Sequence, residues 1–271
     1  INEHFNYFSI FFPENFRIND LAESLSEQDI NIDVLTAYPN YPYGVLYDGY
    51  RQRLFFSEFK FNKVKIHRIP IITRGKGSFI RLSLNYLSFI LNSLLIAPLI
   101  FRKKNFDVIF VYAPSPIFKA FIGIFLKIIK KNKVVTWVQD LWPESVEVTG
   151  YVKNKKLLNL IKYFVSKVYR YSDLILVSSK GFKNKILELS PKSKVMYFPN
   201  PGVKIIEYNE NKKKYLNLFN SNKFNIIFAG NLGKAQSLST ILDAAKILEK
   251  YKNIEIFLVG DGSMYNWVKL S

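Results

Sequence analysis

At 271 residues and 49% hydrophobic, the chain can bury one large core or two domains of ordinary size, which excludes an intrinsically disordered protein. It has no cysteine, so a disulfide framework, a thiolate metal site and a cysteine nucleophile are excluded, and its two histidines leave little for metal chemistry. A formal charge of +18 favours anionic partners. No zinc-finger spacing, basic zipper or aromatic RNA-binding signature accompanies that charge, so nucleic acid is not expected. An anionic membrane surface and a phosphate-bearing substrate remain, beside the plain reading of a lysine-rich solvated surface.

The start, Ile1-Asn2-Glu3-His4, has neither a basic run nor an initiating Met, so no signal peptide is expected and the N-terminus reads as clipped. Tyr7 to Phe12 reads as a first strand. Phe16 to Gln28 places Ile18, Leu21, Ala22 and Leu25 at amphipathic-helix spacing, and the strand Ile32 to Thr36 follows. Tyr38 to Gly44 is turn-rich and aromatic, the composition of a surface loop after a strand end. Val64 to Ile69 alternates as a strand, and Ser78 to about Phe101 reads as a helix. Its uncharged part, from Leu84, approaches the length that crosses a bilayer. Asn85, Ser88, Asn92, Ser93 and Pro98 interrupt that part, so a core helix or one lying in the membrane interface is expected instead.

Val108 to Val111 is a short buried strand, followed by Ala113-Pro114-Ser115-Pro116 and a helix from Ile117. The strand Val134 to Val138, the helix Lys155 to Tyr169, the strand Leu174 to Val177, a short helix and the strand Val195 to Phe198 complete one doubly wound unit. Pro199-Asn200-Pro201-Gly202 and the polar run Asn209 to Lys214 read as a linker, which divides the chain into domains 1–200 and 201–271. The pattern then restarts with the strand Phe224 to Ala229, the helix Ser239 to Tyr251 and the strand Ile254 to Val259, too little parallel sheet to be stable alone.

Ligands of open parallel sheets sit beyond the carboxyl ends of the strands, so the loops there carry the chemistry. Pro13 to Asp20 opens a helix whose N–H groups and dipole favour an anion, with Arg17 able to reinforce it; an ordinary capped helix is the alternative. Gln139-Asp140-Leu141-Trp142-Pro143-Glu144-Ser145 crowds two carboxylates, an amide and an indole at one strand end. A carboxylate here suits orienting a hydroxyl or taking its proton, and the indole suits stacking on a sugar ring; the alternative is a structural loop with Trp142 as a core plug. Phe228 to Ser237 is a glycine-bearing turn where backbone can approach phosphate and Lys234 can meet its charge, although it matches neither the phosphate-loop nor the dinucleotide consensus. Leu258 to Ser263, with Gly260-Asp261-Gly262, is an equally weak pattern that a plain turn also satisfies.

Taken in order, Pro-Glu-Asn-Phe-Arg-Ile-Asn-Asp-Leu at 13–21, Pro-Asn-Tyr-Pro at 39–42, Trp-Val-Gln-Asp-Leu-Trp-Pro-Glu-Ser at 137–145, Phe-Ala-Gly-Asn-Leu-Gly-Lys-Ala-Gln at 228–236 and Leu-Val-Gly-Asp-Gly-Ser at 258–263 resemble family 4 glycosyltransferases. The nearest set is the WbuB-like transferases of aminodeoxysugars of the L-fucosamine type, which act in O-antigen and capsule synthesis. The 137–145 block is the most specific part.

That resemblance implies an α/β protein of GT-B type, with two Rossmann-like doubly wound domains, the second incomplete. The first would bind the acceptor and the second a nucleotide-sugar donor. Asp140, Gln139 and Glu144 would serve catalysis, and Arg17, Asn19 and Trp142 would line the acceptor cleft. Gly230, Asn231, Gly233, Lys234, Gln236, Gly260, Asp261 and Gly262 would hold the donor. Several positions depart from the family pattern. Gln139 and Asp140 stand where many members have a His-containing turn, Asn231 and Gln236 where an Arg and a Lys are frequent, and Ser237 where a Gly is usual. The family's Glu-x7-Glu segment would lie beyond Ser271, so a fragment or a disrupted gene is expected, with no transfer by the 271 residues alone.

No Asp-x-Asp motif occurs, so the resemblance implies transfer with retained configuration, no metal and no cofactor, the UDP-linked sugar being a substrate. It further implies a lipid-linked diphosphate sugar acceptor and a cytoplasmic protein held peripherally on the inner face of the plasma membrane. Two other readings stand beside it. One is an inactive remnant that binds acceptor or partner proteins only. The other is an epimerase of a different Rossmann type, which should show an N-terminal dinucleotide fingerprint, whereas the first loop here has no glycine.

Overall fold

The computed structural model describes residues 6–11, 16–40, 43–60, 63–75, 78–148, 150, 152, 154–202, 219 and 222–270, with only the backbone of 6–11, 16–17 and 79. Pro13 to Asn15 of the first strand-to-helix loop and the run Asn209 to Lys214 lie outside the described residues. The chain forms two compact units, Ile1–Val203 and Lys204–Ser271.

In the first unit the elements run β1 (Asn6–Phe11), α1 (Phe16–Glu27), β2 (Asn31–Ala37), β3 (Phe56–Lys60), β4 (Val64–Ile69), α2 (Phe79–Ile100), β5 (Val108–Ala113), α3 (Ala120–Lys130) and β6 (Lys133–Val138). They continue with α4 (Glu144–Val148), α5 (Lys155–Tyr171), β7 (Leu174–Val177), α6 (Phe182–Leu189) and β8 (Val195–Tyr197). The strands form one sheet in the order β3-β4-β2-β1-β5-β6-β7-β8. All neighbours are parallel except β3, which runs antiparallel to β4. The chain builds outward from β1 to one side, then crosses over through α2 and builds outward to the other. The strand order therefore reverses between β1 and β5, the kind of switch point beyond whose carboxyl ends open parallel sheets bind ligands.

The strands hold because they bury both faces. Ile109, Val111 and Ala113 of β5, Val134 and Val138 of β6, and Ile175 and Val177 of β7 point into a core shared with α2, α3, α5 and α6. The alternate residues Tyr112, Trp137 and Leu176 join Ile18 and Ala22 of α1 on the opposite face. Each large apolar side chain buried in this way contributes about 1.5–3 kcal/mol. Such two-sided burial gives a parallel strand its unbroken apolar character.

Two features correct the sequence reading. The edge strand β3 was not expected, because Phe56-Ser57-Glu58-Phe59-Lys60 places its two apolar residues three apart, on opposite faces, and so lacks the alternation that marks a strand; it pairs antiparallel with β4. The segment after β2 is not simply a surface loop. Tyr38 and Asn40 are fully buried, whereas Tyr43 is 76% exposed. Tyr38 packs against Tyr50 and Phe56, its hydroxyl accepts the Arg53 N–H at 3.1 Å, and Asn40 Oδ1 accepts the Arg74 N–H at 3.3 Å. The aromatic residues thus seal the exit of β4. Gly44 is required there, since a Cβ would sit 1.8 Å from the Gly75 carbonyl oxygen.

Beneath the last turns of α2, buried His67 bridges Asp33 and Ser57, with Nε2 and Nδ1 each at 2.7 Å from its partner, and Lys104 also pairs with Asp33. Burial raises the Asp33 carboxyl, but hydrogen bonds from His67 and Lys104 outweigh it and hold the group below its ordinary value. This network fastens β2, β4 and β3 to the crossover.

Helix α2 starts at Ser78, whose Oγ accepts the Arg81 N–H at 3.4 Å. Among the described residues it is the one helix long and apolar enough to cross a membrane by length and composition. Its buried face, with Asn85, Phe89, Ser93, Ile96 and Ala97, lies on the sheet. The polar residues that interrupt it bind the chain leaving β4: Asn85 Nδ2 donates to Ile72 O at 2.7 Å, Asn92 Nδ2 to Pro70 O at 2.8 Å, and Ser88 Oγ accepts the Ile72 N–H at 2.9 Å. The opposite face exposes Ile80, Leu84, Leu87, Leu91 and Leu95 at helical spacing.

The second unit pairs β9 (Phe224–Ala229) with β10 (Ile254–Val259) in parallel and carries α7 (Leu238–Leu248) and α8 (Tyr265–Leu270). Of the apolar face expected on α7, Ile241, Leu242, Ala245 and Leu248 are half-buried.

Candidate active site

The chain leaving β5 and the chain leaving β6 meet beyond the last rung of their ladder, where Gln139 N donates to Ala113 O at 3.2 Å. One residue further on, Asp140 Oδ2 accepts two hydrogen bonds from Ser115, from the amide at 3.1 Å and from Oγ at 2.8 Å. Trp142 Nε1 in turn donates to Ser115 Oγ at 3.0 Å. The indole packs edge-on against Phe118, with ring centroids 5.3 Å apart. Cis peptide bonds occur at Ser115–Pro116 and Trp142–Pro143, one in each turn. Asp140 and Trp142 are both half-buried, so they are fixed from below and reachable from above.

Beneath this cluster lies Lys119, fully buried on the 3-10 turn Ile117–Lys119. Burial pushes its amine well below the ordinary lysine range, the nearby Arg74 guanidinium adds to that, and Asp140 opposes it. A buried amine thus lies within electrostatic reach of both the Asp140 carboxylate and Arg74, whose guanidinium is 5.4 Å from the centre of the Tyr86 ring. Neither Lys119 nor Arg74 was singled out from sequence. Lys119 is one lysine in a basic chain, and only burial marks it.

The other strand-end residues divide. The buried Gln139 Nε2 has no hydrogen-bond partner among the described residues. Buried Glu144 Oε2 likewise has none, and Glu144 lies toward α5, where, after burial, its charge helps push the Tyr169 phenol above its ordinary value. Glu144 also lines a separate hollow with Lys155, Lys162 and Glu188. Asp140 and Trp142 are brought together, and Glu144 stands apart from them. Asn19 lies half-buried on α1, at the carboxyl end of β1, and the Arg17 side chain lies outside the described part.

In the second unit the two glycine-bearing loops are knitted by backbone. Gly230 N donates to Val259 O at 2.9 Å, Leu232 N to Asp261 O at 2.8 Å and Met264 N to Leu232 O at 2.8 Å. Asp261 Oδ1 accepts the Gly262 N–H at 2.7 Å. A Cβ on Gly260 would fall 1.8 Å from Gly230 O, so glycine is needed for the loops to touch. Asn231, Lys234 and Gln236 are exposed beside buried Gly233. Ser237 enters α7 in the left-handed conformation, φ 47° and ψ 48°.

Comparison with solved structures fits this architecture to a known class. Sucrose-phosphate synthase from Thermosynechococcus elongatus superposes with a TM-score of 0.66 over 94% of this chain and 62% of its own, at 13% identity. The apo structure of OtsA superposes at 0.63 over 98% and 68%, at 11% identity. The UDP-GlcNAc 2-epimerase of Methanocaldococcus jannaschii gives 0.52 over 94% and 64%, at 14% identity. These likenesses show the fold: α/β of GT-B type with Rossmann-like units. Because an epimerase shares it, the fold by itself does not separate transfer from epimerisation. In sequence, an uncharacterized glycosyltransferase of Methanocaldococcus jannaschii is 29% identical over 148 residues, 52% of this chain and 34% of that protein. The matched stretch is thus about a third of that relative's length. No protein-family model matches the chain.

Proposed function

We propose that this chain belongs to a glycosyltransferase that moves a sugar from a nucleotide diphosphate onto a lipid-linked acceptor for a cell-surface polysaccharide, with retained configuration and without a metal. The observation that carries the reading is the Asp140–Ser115–Trp142 cluster at the carboxyl ends of β5 and β6. It supplies a braced carboxylate beside an indole, the pairing a sugar hydroxyl and ring require. The fold and the archaeal glycosyltransferase relative support the same class.

In this mechanism Asp140 orients the acceptor hydroxyl. The bond from the sugar's anomeric carbon to the diphosphate oxygen breaks, the acceptor oxygen bonds to that carbon from the same face, and its proton passes to the departing diphosphate. Backbone N–H groups and cations stabilise such a leaving charge most strongly in a water-poor cleft. UDP is the proposed nucleotide, a WbuB-like aminodeoxysugar the proposed donor sugar, and the inner face of the plasma membrane the proposed location.

The test uses protein expressed from the whole native gene, with UDP- and GDP-sugars and lipid-diphosphate acceptors. Asp140→Ala should abolish transfer while lowering the melting temperature only modestly, through the two Ser115 donors left without their acceptor; undiminished turnover would overturn the role. Conversion of the nucleotide sugar without any acceptor would instead favour epimerisation, the activity named for a structural neighbour of the same fold.

A further inference from the structure

On the edge of the sheet opposite Asp140, a hollow of about 560 Å3 opens at the amino ends of β2 and β4 and beside the chain entering β5. Lys63, Lys65, Lys103 and Lys104 line it, and Asp33 is the one carboxylate among its lining residues. Asp140 follows the carboxyl end of the parallel strand β6, so a full strand length, about 20 Å, separates the two places.

Two other charged hollows are better balanced. The one beside Glu144 sets three lysines against three glutamates, and the one at the amino ends of β6 and β7 sets four cations against Asp107 and Asp173. The lysines of the first hollow are also held in place. Lys104 donates to Asp33, which His67 Nε2 meets at 2.7 Å, and Lys63 pairs with the exposed Asp29. Lys65 Nζ lies 5.3 Å from the centre of the Phe59 ring, another lining residue. Neither Lys65 nor Lys103 forms an ion pair among the described residues. Holding a lysine costs side-chain freedom that an exposed ion pair barely returns. Ammonium groups gathered in one concavity also repel one another and focus a positive potential into it. A multiply charged anion relieves that repulsion and meets cations that are already positioned.

We propose that this hollow binds a soluble polyphosphate anion, a chain of two or three phosphates, at a site separate from sugar transfer. A chain of phosphates matches the formal +3 of four lysines and one aspartate, and its length lets it touch lysines from both β4 and the exit of α2. A phospholipid head group offers the same chemistry with a single phosphate, and the test separates the two sources.

The experiment titrates protein from the whole native gene by calorimetry with inorganic triphosphate and orthophosphate at one fixed ionic strength. Triphosphate should bind at least about tenfold more tightly, because it meets more of the cations at once. Lys103 is exposed, so Lys103→Gln should fold normally and weaken triphosphate by about fivefold or more; Lys65→Gln should do the same. Lys192→Gln makes the same change of charge at the neighbouring hollow and should shift the affinity by less than about twofold. A saturating UDP-sugar should likewise leave it within about twofold, as separate sites require. Four outcomes would each overturn the assignment. The first is triphosphate binding no tighter than orthophosphate, and the second is equal weakening by Lys103→Gln and Lys192→Gln, the mark of net charge alone. The third is displacement by the UDP-sugar, which would put the anion in the donor site. The fourth is loss of binding to phosphatidylglycerol vesicles in Lys103→Gln while its triphosphate affinity is unchanged, which would make the ligand a lipid head group. No step of sugar transfer enters these readouts, so an inactive Asp140 site would leave the hollow standing, and an empty hollow would leave the transferase standing.

Discussion

Ser115 Oγ stands between Trp142 and Asp140, accepting the indole N–H at 3.0 Å and donating to the carboxylate at 2.8 Å. The hydroxyl therefore fixes the ring and the charge together. Ser115→Ala should destabilise the fold by about 1 kcal/mol, because it leaves the indole donor without its acceptor. It should lower transfer by roughly tenfold or more, since the carboxylate keeps only the Ser115 amide to orient it. Urea titration and steady-state rates read the two effects. Unchanged transfer would mean that the orientation of Asp140 is set elsewhere.

The buried Lys119 gives stability a pH dependence of known sign. Its folded-state pKa lies well below the ordinary 10.5, so between those two values the unfolded chain holds the extra proton. Its contribution to stability therefore rises as pH rises through that window. Lys119→Met removes the group and should flatten the slope. Denaturant midpoints of both proteins between about pH 7 and 9.5 test this through their difference, which cancels the groups they share. A difference that does not change with pH would show that Lys119 carries no such shift.

Ser237 adopts a left-handed backbone at the start of α7, φ 47°, where a side chain costs about 1–2 kcal/mol that glycine avoids. Ser237→Gly should stabilise the second unit by roughly 0.5–1 kcal/mol after the loss to unfolded-state entropy. Hydrogen exchange of the α7 amides reads that unit locally. Faster exchange in the variant would show that the serine makes a compensating contact.

The exposed ridge of α2 and the +18 charge together motivate membrane attachment. Several flanking cations are already engaged inside the protein. Lys104 and Lys127 pair with Asp33 and Asp173, and Lys130 donates to Arg102 O at 2.8 Å. The remaining cations contribute about 1 kcal/mol each near an anionic surface. Leu91 is 50% exposed, so Leu91→Glu should leave the melting temperature unchanged while cutting binding to phosphatidylglycerol vesicles by tenfold or more. High salt should release the wild-type protein. Retention in the pellet through salt and carbonate, with release only by detergent, would mean an integral attachment.

The sequence alone determined the alternation of strands and helices, through the alternating Val64–Ile69 and the apolar runs Leu174–Val177, Phe224–Ala229 and Ile254–Val259, all found at those bounds. It also marked the 137–145 block, since carboxylates and an indole crowded at one strand end are conspicuous in one dimension. It could not reveal β3, whose exposed edge position needs no apolar run, or the inward fold of Tyr38 and Asn40. Nor could it show that Asp140 is braced by Ser115, a residue 25 positions away, while Glu144, only four away, turns toward Tyr169. The parallel register of β5 and β6 decides that pairing by bringing their exits side by side. The same assembly buries Lys119 near the carboxylate and gathers four lysines from around β4 and the exit of α2 about one hollow. Contacts between distant segments create those environments, and no local pattern in the chain encodes them.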